Sequence, residues 1–404
     1  MAPRQISPTV LLILLCVAVF LPSVTVLMLG PLLITLAHEF QTSVAMVGQL
    51  ASATAITWGI TAPLAGPVSD AYGRRRMLLT GLLLMAAGLL GSVLAWHYGS
   101  LLAFRLLTGV GAALVPPNSV AALADIFPST DRGKALGWLL SASGVGAAVG
   151  VPLVALLLGA GGWRLPFAVM GTASLGVWLL FWLWFPCQQQ PSQSLAFFSH
   201  YREVGAQAMF WYVLIVNALL QMGAFGMFGY LAAYLMQTYH MSAGDTALPL
   251  ALAGVGVIVG GFLGGRVADQ RCRLAWFAIS CWGSGLLAAL VFTVRVSPWA
   301  TVALALGVAG LSRISSAVTP ILLLEWAGRS RTTATGLFAV SNQMGVFGGA
   351  SLGGLMLALG GFPRVGLFCL GVSVIAAVVL QLKVRDSAAS PVQMALPEGT
   401  TATK

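Results

Sequence analysis

The sequence predicts an all-α integral membrane protein of twelve transmembrane helices, arranged as two pseudo-symmetric six-helix bundles. Three observations carry this. The 404 residues are 58% hydrophobic and only 7% charged, with a mean hydropathy of +0.93; a soluble chain of this length needs far more polar surface to cover its core. Apolar segments of 20 or more residues recur along the chain, each long enough to cross about 30 Å of hydrocarbon. Glycine and charge landmarks in the first half recur in the second half at a constant separation.

The apolar segments place spans at about 10–37, 43–67, 77–96, 99–124, 133–158, 166–186, 208–237, 243–265, 274–294, 298–324, 332–359 and 364–384. The first continues to about Ala37, too long for the apolar region of a signal peptide, and no A-x-A site closes it. Residues 1–186 therefore form the N-terminal bundle and 208–385 the C-terminal one. The polar segment 187–207, with its Gln run, is a cytoplasmic linker, and the tail 386–404 is expected to be disordered. The 48 glycines suit helices that must approach closely without a hydrophobic force between them.

Charge sets the orientation. With the N-terminus in the cytoplasm, fifteen of the twenty Lys and Arg residues fall in cytoplasmic segments and three outside. The remaining two, Arg105 and Arg313, fall within spans. The bias predicts that both termini are cytoplasmic. The net charge of +10 is thus a topology signal spread over short loops, and no nucleic-acid partner is implied.

The densest polar cluster is GPVSDAYGRRR, Gly66 to Arg76, between the second and third spans. A shift of 199 residues places Gly66 on Gly265, Asp70 on Asp269 and Arg74 on Arg273. The same shift pairs Gly137 with Gly336, Gly146 with Gly345 and Gly150 with Gly349; a shift of 200 pairs Asp125 with Glu325 and Arg164 with Arg364. A register held across loops and spans implies two related halves, the arrangement transporters use for alternating access.

Over its whole length the chain resembles the major facilitator superfamily. Gly66-x-x-x-Asp70-x-x-Gly73-Arg74-Arg75 is similar to that family's loop signature between spans 2 and 3, and Arg105-Leu-Leu-Thr-Gly109-Val-Gly111 is similar to its span-4 signature. Span 5 carries GWLLSASGVGAAVGVP, Gly137 to Pro152, similar to the signature of proton-coupled exporters, although Val151 separates the usual Gly-Pro pair. The short central loop and Gly162-Trp163-Arg164 resemble the bacterial drug and sugar efflux branch. The resemblance implies a charge network of Asp70, Arg74 and Asp125, framed by Gly66 and Gly73, that latches the outward-facing state. Asp269 and Glu325 are its second-half counterparts. It also implies a coupling role for Arg105, proton antiport, and residence in a bacterial inner membrane.

The residues themselves leave alternatives open. The loop arginines also read as positive-inside anchors. Arg105 also has an alternative reading, as a group paired with backbone carbonyls or reaching the interface. Arg313 lies near the middle of span 10, where a charge costs about 2.5–3.5 kcal/mol on the insertion scale. No family motif covers it, and it reads either as a cavity residue or as a packed Arg satisfied by Ser312, Ser315 or backbone oxygens. Gln221 and Asn342 fall near mid-depth; Asn118, Thr25, Trp58, Tyr230 and Tyr234 are further candidates for the cavity wall, each of which also reads as an interhelical hydrogen bond. No Asp, Glu or His falls near the centre of any span. A buried organic cation needs a carboxylate partner, so the expected substrate is a neutral or anionic small molecule.

The expected function is therefore proton-coupled export by alternating access. A metabolite importer or uniporter of the same fold is the alternative, and a non-transporting membrane receptor or assembly factor is a further one. No nucleophile–base pair, phosphate-binding G-x-x-x-x-G-K-[ST] or Cys/His metal spacing occurs, so no enzyme, cofactor, ATP-driven pump or metal site is expected. The expected partners are the substrate, protons and the lipid bilayer, and the expected state is a monomer.

Overall fold

The computed structural model describes residues 7–128, 131–185, 208–268, 270, 272–326 and 331–383, and among them the regular structure is entirely helical. Twelve helices follow in order: α1 (Pro8–Leu27), α2 (Leu29–Glu39), α3 (Val44–Tyr72), α4 (Arg74–Val93), α5 (Tyr98–Ile126), α6 (Arg132–Gly161), α7 (Arg164–Trp184), α8 (Ala208–Tyr239), α9 (Ala247–Ala268), α10 (Arg273–Thr293), α11 (Pro298–Trp326) and α12 (Arg331–Lys383). Eleven of them are long and apolar enough to cross a membrane; the short α2 is the exception. The linker 187–207 and the tail 386–404 lie outside the described residues.

Local chemistry explains where the helices stop. Ser7 and Ser43 cap α1 and α3, their side chains accepting from Val10 N (3.4 Å) and Met46 N (3.1 Å). His97 and Ser100 form a reciprocal capping box at the start of α5. The predicted first span is two helices that meet at Met28. Pro31 has no N–H for the Leu27 carbonyl, which weakens the chain's hold on one continuous helix at that point. At its other extreme, α12 runs for 53 residues, about 80 Å of helix, well beyond one bilayer crossing. It is two helices merged across a kink at Gly360 and Gly361.

Gly361 (φ 74, ψ −170) and Gly162 (φ 73, ψ −177) share one backbone geometry, 199 residues apart, at the α12 kink and between α6 and α7. This region of conformational space is essentially reserved for glycine. Gly361→Ala is expected to cost about 1–3 kcal/mol and lower the melting temperature of detergent-solubilised protein; an unchanged melting temperature rejects the strain.

Other repeat positions make equivalent contacts. Gly146 on α6 packs on Phe20 and Ser23 of α1, and Gly345 on α12 packs on Ala218 and Gln221 of α8. Gly150 lies against Val24 on α1, and Gly349 against Met222 and Phe225 on α8. The first half, α1–α7, packs through α4 with α5 and α7; the second, α8–α12, through α8 with α12 and α9 with α11. The halves meet where α3 packs on α12, α6 on α9 and α2 on α8. The helices are apolar nearly all round, so small residues and glycines, rather than amphipathic stripes, decide which faces touch.

A seam closed at one end and the polar groups beneath it

Helix direction defines two ends. The base carries the starts of α1 and α8, the α3–α4 turn at Gly73 (φ 102) and the end of α12; the crown carries the α2–α3, α6–α7 and α8–α9 connections and the α12 kink. At the crown the seam is shut by backbone approach. A methyl group on Gly30 would stand 3.2 Å from the Gly229 carbonyl oxygen, one on Gly159 3.1 Å from Gly244 Cα, and one on Gly254 2.6 Å from the Ala148 oxygen. Tyr230 of α8 lies fully buried between Gly48 of α3 and Gly354 of α12, its hydroxyl donating to the Ala350 carbonyl (2.7 Å). Ser52 and Ser351 join α3 to α12 directly (Oγ to Oγ, 2.7 Å), and the Ser351 hydroxyl also donates to Gln49 Oε1 (3.1 Å).

The base half of the same seam is different. A Cβ added at Gly66 on α3, Gly133, Gly137 or Gly144 on α6, Gly261 or Gly265 on α9, or Gly336 on α12 would meet nothing within 4 Å. At these positions the base half of the seam is packed more loosely than the crown half.

Arg313 lies midway along α11 with an exposed side chain, and Gly264 of α9 packs against its backbone carbonyl. Nearby helices carry a polar network. Asn217 of α8 donates to Ser341 Oγ and Asn342 Oδ1 of α12 (both 2.7 Å) and accepts from Thr319 of α11 (3.3 Å). Gln221, one turn on from Asn217, is half-buried against Gly345. Trp58 on α3 is half-buried, and the next residue, Gly59, faces the Gln343 side chain of α12.

Arg105 on α5 is fully buried. Its Nη2 donates to the Thr25 carbonyl (3.1 Å) and its Nη1 approaches Met28 Sδ (3.8 Å), so the guanidinium grips the first span where α1 breaks into α2. Among the described residues no carboxylate pairs with it, and its Nε has no partner. Thr54 of α3 closes the other side, its hydroxyl donating to Leu50 O (3.0 Å) and to Arg105 O (3.3 Å).

The other sequence candidates sit as follows. Thr25 is buried and donates to Leu21 O (2.8 Å); Asn118 is buried and donates to Leu114 O (2.6 Å). Both bond back within their own helices. Tyr230 stands in the crown closure, and Tyr234 lies in an aromatic cluster with Phe292 (5.2 Å between centroids) and Phe362 (5.1 Å). At the base, Arg74 forms an ion pair with Asp125 and donates to Ala121 O (2.6 Å), tying α4 to α5. Asp70 falls in the last turn of α3 and Glu325 in the last turn of α11, but their side chains, like Asp269, lie outside the described residues. Sequence reasoning gave no weight to Gly48, Gly354, Ser52 and Ser351, which form the closure; small residues at matched depth on spans 2 and 11 are the signal that points to them.

Membrane-length apolar helices in two sets, with a seam between them packed tightly at one end, have the build of a membrane transporter. The chain belongs to the Major Facilitator Superfamily, whose family model matches residues 15–321 and 214–395. It is 25% identical over 381 residues to the uncharacterized MFS-type transporter YwfA of Bacillus subtilis (strain 168), covering 91% of this chain and 90% of that protein. It is 26% identical over 306 residues to the 3-(3-hydroxy-phenyl)propionate transporter of Escherichia coli (strain K12), covering 73% of each. Relatives include acid, sugar and multidrug transporters, and members of the family are transporters rather than enzymes. Among solved structures the fold is similar to a bacterial homologue of the human lysosomal transporter Spinster, described as inward-facing and occupied. That likeness has a TM-score of 0.69 at 18% identity, covering 92% of this chain and 94% of that one.

Proposed function

We propose that this protein is a twelve-span, monomeric secondary transporter that exports a small organic anion across a bacterial inner membrane, by rocking residues 1–186 against 208–385. The observation that carries the anion is Arg313, an exposed cation midway along a membrane-length helix, in a sequence with no mid-depth carboxylate to pair with it. The presence of an acid transporter among the relatives supports it. The repeat glycines, with their equivalent contacts, support a pseudo-two-fold between the halves. With the base cytoplasmic, as the positive-inside bias indicates, the state described here is inward-facing. The Arg74–Asp125 pair is already formed here and lies within one half, so in this reading the latch of the opposite state is a bond from Asp70 across the base, made in one state and broken in the other.

Coupling to protons follows the span-5 and span-4 resemblances and is read in proteoliposomes: export is driven by an inwardly directed proton gradient, whereas uptake driven by the same gradient establishes the importer reading. Substrate class is read by melting purified protein against a panel of carboxylates, sulfonates, neutral sugars and quaternary ammonium compounds. Anions are expected to raise the melting temperature, since binding stabilises the folded state, and Arg313→Ala is expected to abolish that rise. Stabilisation by quaternary ammonium compounds alone overturns the proposal.

A further inference from the structure

The hydrogen bonds around Asn217 have a direction. The Phe338 carbonyl can only accept, so the Ser341 hydroxyl that meets it (2.8 Å) donates. Ser341 Oγ is then left as an acceptor, and the Asn217 atom 2.7 Å from it must be the amide nitrogen. The second N–H of that nitrogen goes to Asn342 (2.7 Å), which therefore turns its carbonyl oxygen toward Asn217. This leaves the Asn342 NH2 group unspent: among the described residues nothing accepts from it. Asn342 is half-buried rather than sealed. The exposed apolar stripe of α12, Met344, Leu352, Leu355 and Leu359, lies about 80–160° round the helix from it, so its accessible surface is not part of that stripe.

The 199-residue register places Ser143 of α6 at the same position in the first half. Ser143 is also half-buried, and it is tied to α1 through Ser23 (Oγ to Oγ, 2.8 Å) as Asn342 is tied to α8. There the direction is reversed. Ser23 spends its proton on the Val19 carbonyl (3.0 Å), so Ser143 donates to Ser23 and keeps only lone pairs. Of the two repeat positions, only Asn342 offers N–H donors.

We infer that Asn342 is the donor contact for an anionic oxygen of the transported molecule, and that Asn217 is a positioning residue that fixes which way the Asn342 amide faces. The inference rests on the anion reading above for the choice of ligand. Hydrogen bonds from N–H to an ionised oxygen are shorter and stronger than neutral ones. An amide free to turn would present its carbonyl oxygen to the anion as readily as its N–H groups, and two acceptors repel. The bond from Asn217 removes that alternative before the ligand arrives, so less ordering is left to the binding step. Thr319 of α11, donating to Asn217 Oδ1 (3.3 Å), holds Asn217 from its other side. The orientation is thus set by α8, α11 and α12 together, all in the second half, and it persists as that half moves against the first.

Two experiments on the full-length protein test this. In inside-out vesicles, Asn342→Cys is expected to be modified by the membrane-impermeant 2-sulfonatoethyl methanethiosulfonate, with the adduct placed by peptide mass spectrometry, and Ser341→Cys, at a buried position, to stay unmodified. An Asn342→Cys thiol that reacts from neither face of the membrane overturns the inference. In the second, binding of 3-(3-hydroxyphenyl)propionate and benzenesulfonate to purified protein is expected to weaken at least tenfold in Asn342→Leu and by a similar factor in Asn217→Leu, with the double variant no weaker than either single, because Asn217 acts through Asn342. Asn217→Ser, polar but too short to reach, replaces the leucine variant if that one does not fold. Losses that add in the double variant, or wild-type affinity in either single, overturn the inference while leaving the anion reading in place. If neither anion binds wild type, the anion reading and the donor contact fall together, and the labelling still shows whether position 342 faces the transport path.

Discussion

Joining residues 52 and 351 through S52C/S351C is expected to stop transport completely, and a reductant to restore it. The two serine oxygens are 2.7 Å apart across the seam, between α3 of one half and α12 of the other. They lie in the crown closure, where backbone and small residues approach closely around the Tyr230 ring, and both ion pairs found among the described residues lie within the first half. A covalent bond at this point holds the crown shut, and alternating access requires it to open. The experiment is an oxidant-driven crosslink in membrane vesicles, followed by flux with and without dithiothreitol, using the single-cysteine variants as controls. Flux that persists in fully crosslinked protein rules out the crown as a gate. Adding Gly48→Ala to the pair is expected to reduce the crosslinked yield, because the new methyl collides with the Tyr230 hydroxyl.

Arg105 is the second test. Arg105→Met is expected to leave the protein folded, with a melting temperature at or above that of wild type, and to reduce transport at least 100-fold. The structural half of this expectation follows from desolvation: a fully buried guanidinium with one carbonyl and one thioether for company, and no carboxylate, is a poor stabiliser. Replacing buried charge by apolar volume is often neutral or favourable, by about 1–4 kcal/mol in measured cases. The functional half follows from what the guanidinium holds. It grips Thr25 and Met28 at the α1–α2 break, and α2 in turn leans on α8 at the crown. Arg105→Lys is expected to fail as well, since a point charge cannot replace the planar fork that reaches both groups. If the methionine variant transports normally, Arg105 only fills space.

Much of the fold was legible because hydropathy and charge report it directly. Apolar runs gave the helices, and the 199-residue register anticipated the matched backbone at Gly162 and Gly361. The break at Met28 was written in Gly30-Pro31, although a single span was expected there. The side-chain roles were less legible, and for one reason. A helix that is apolar on all faces gives no sign of which face meets a partner. Tyr230 and Tyr234 looked like cavity residues by depth, yet their faces carry them into the crown closure and an aromatic cluster. Asn342 and Gln343 are adjacent in sequence and about 100° apart on the helix. Asn342 bonds Asn217, and Gln343 is left without a partner.

The seven glycines of the seam that touch nothing have a meaning of their own. Gly66, Gly133, Gly137, Gly144, Gly261, Gly265 and Gly336 sit on α3, α6, α9 and α12, helices that also carry glycines crowded against the other half, among them Gly48, Gly159, Gly254 and Gly354. In the state described here nothing requires them to be glycine, and in a membrane helix a residue without a side chain forgoes packing. A second packing arrangement, in which the base closes as the crown does now, is the use their smallness would have.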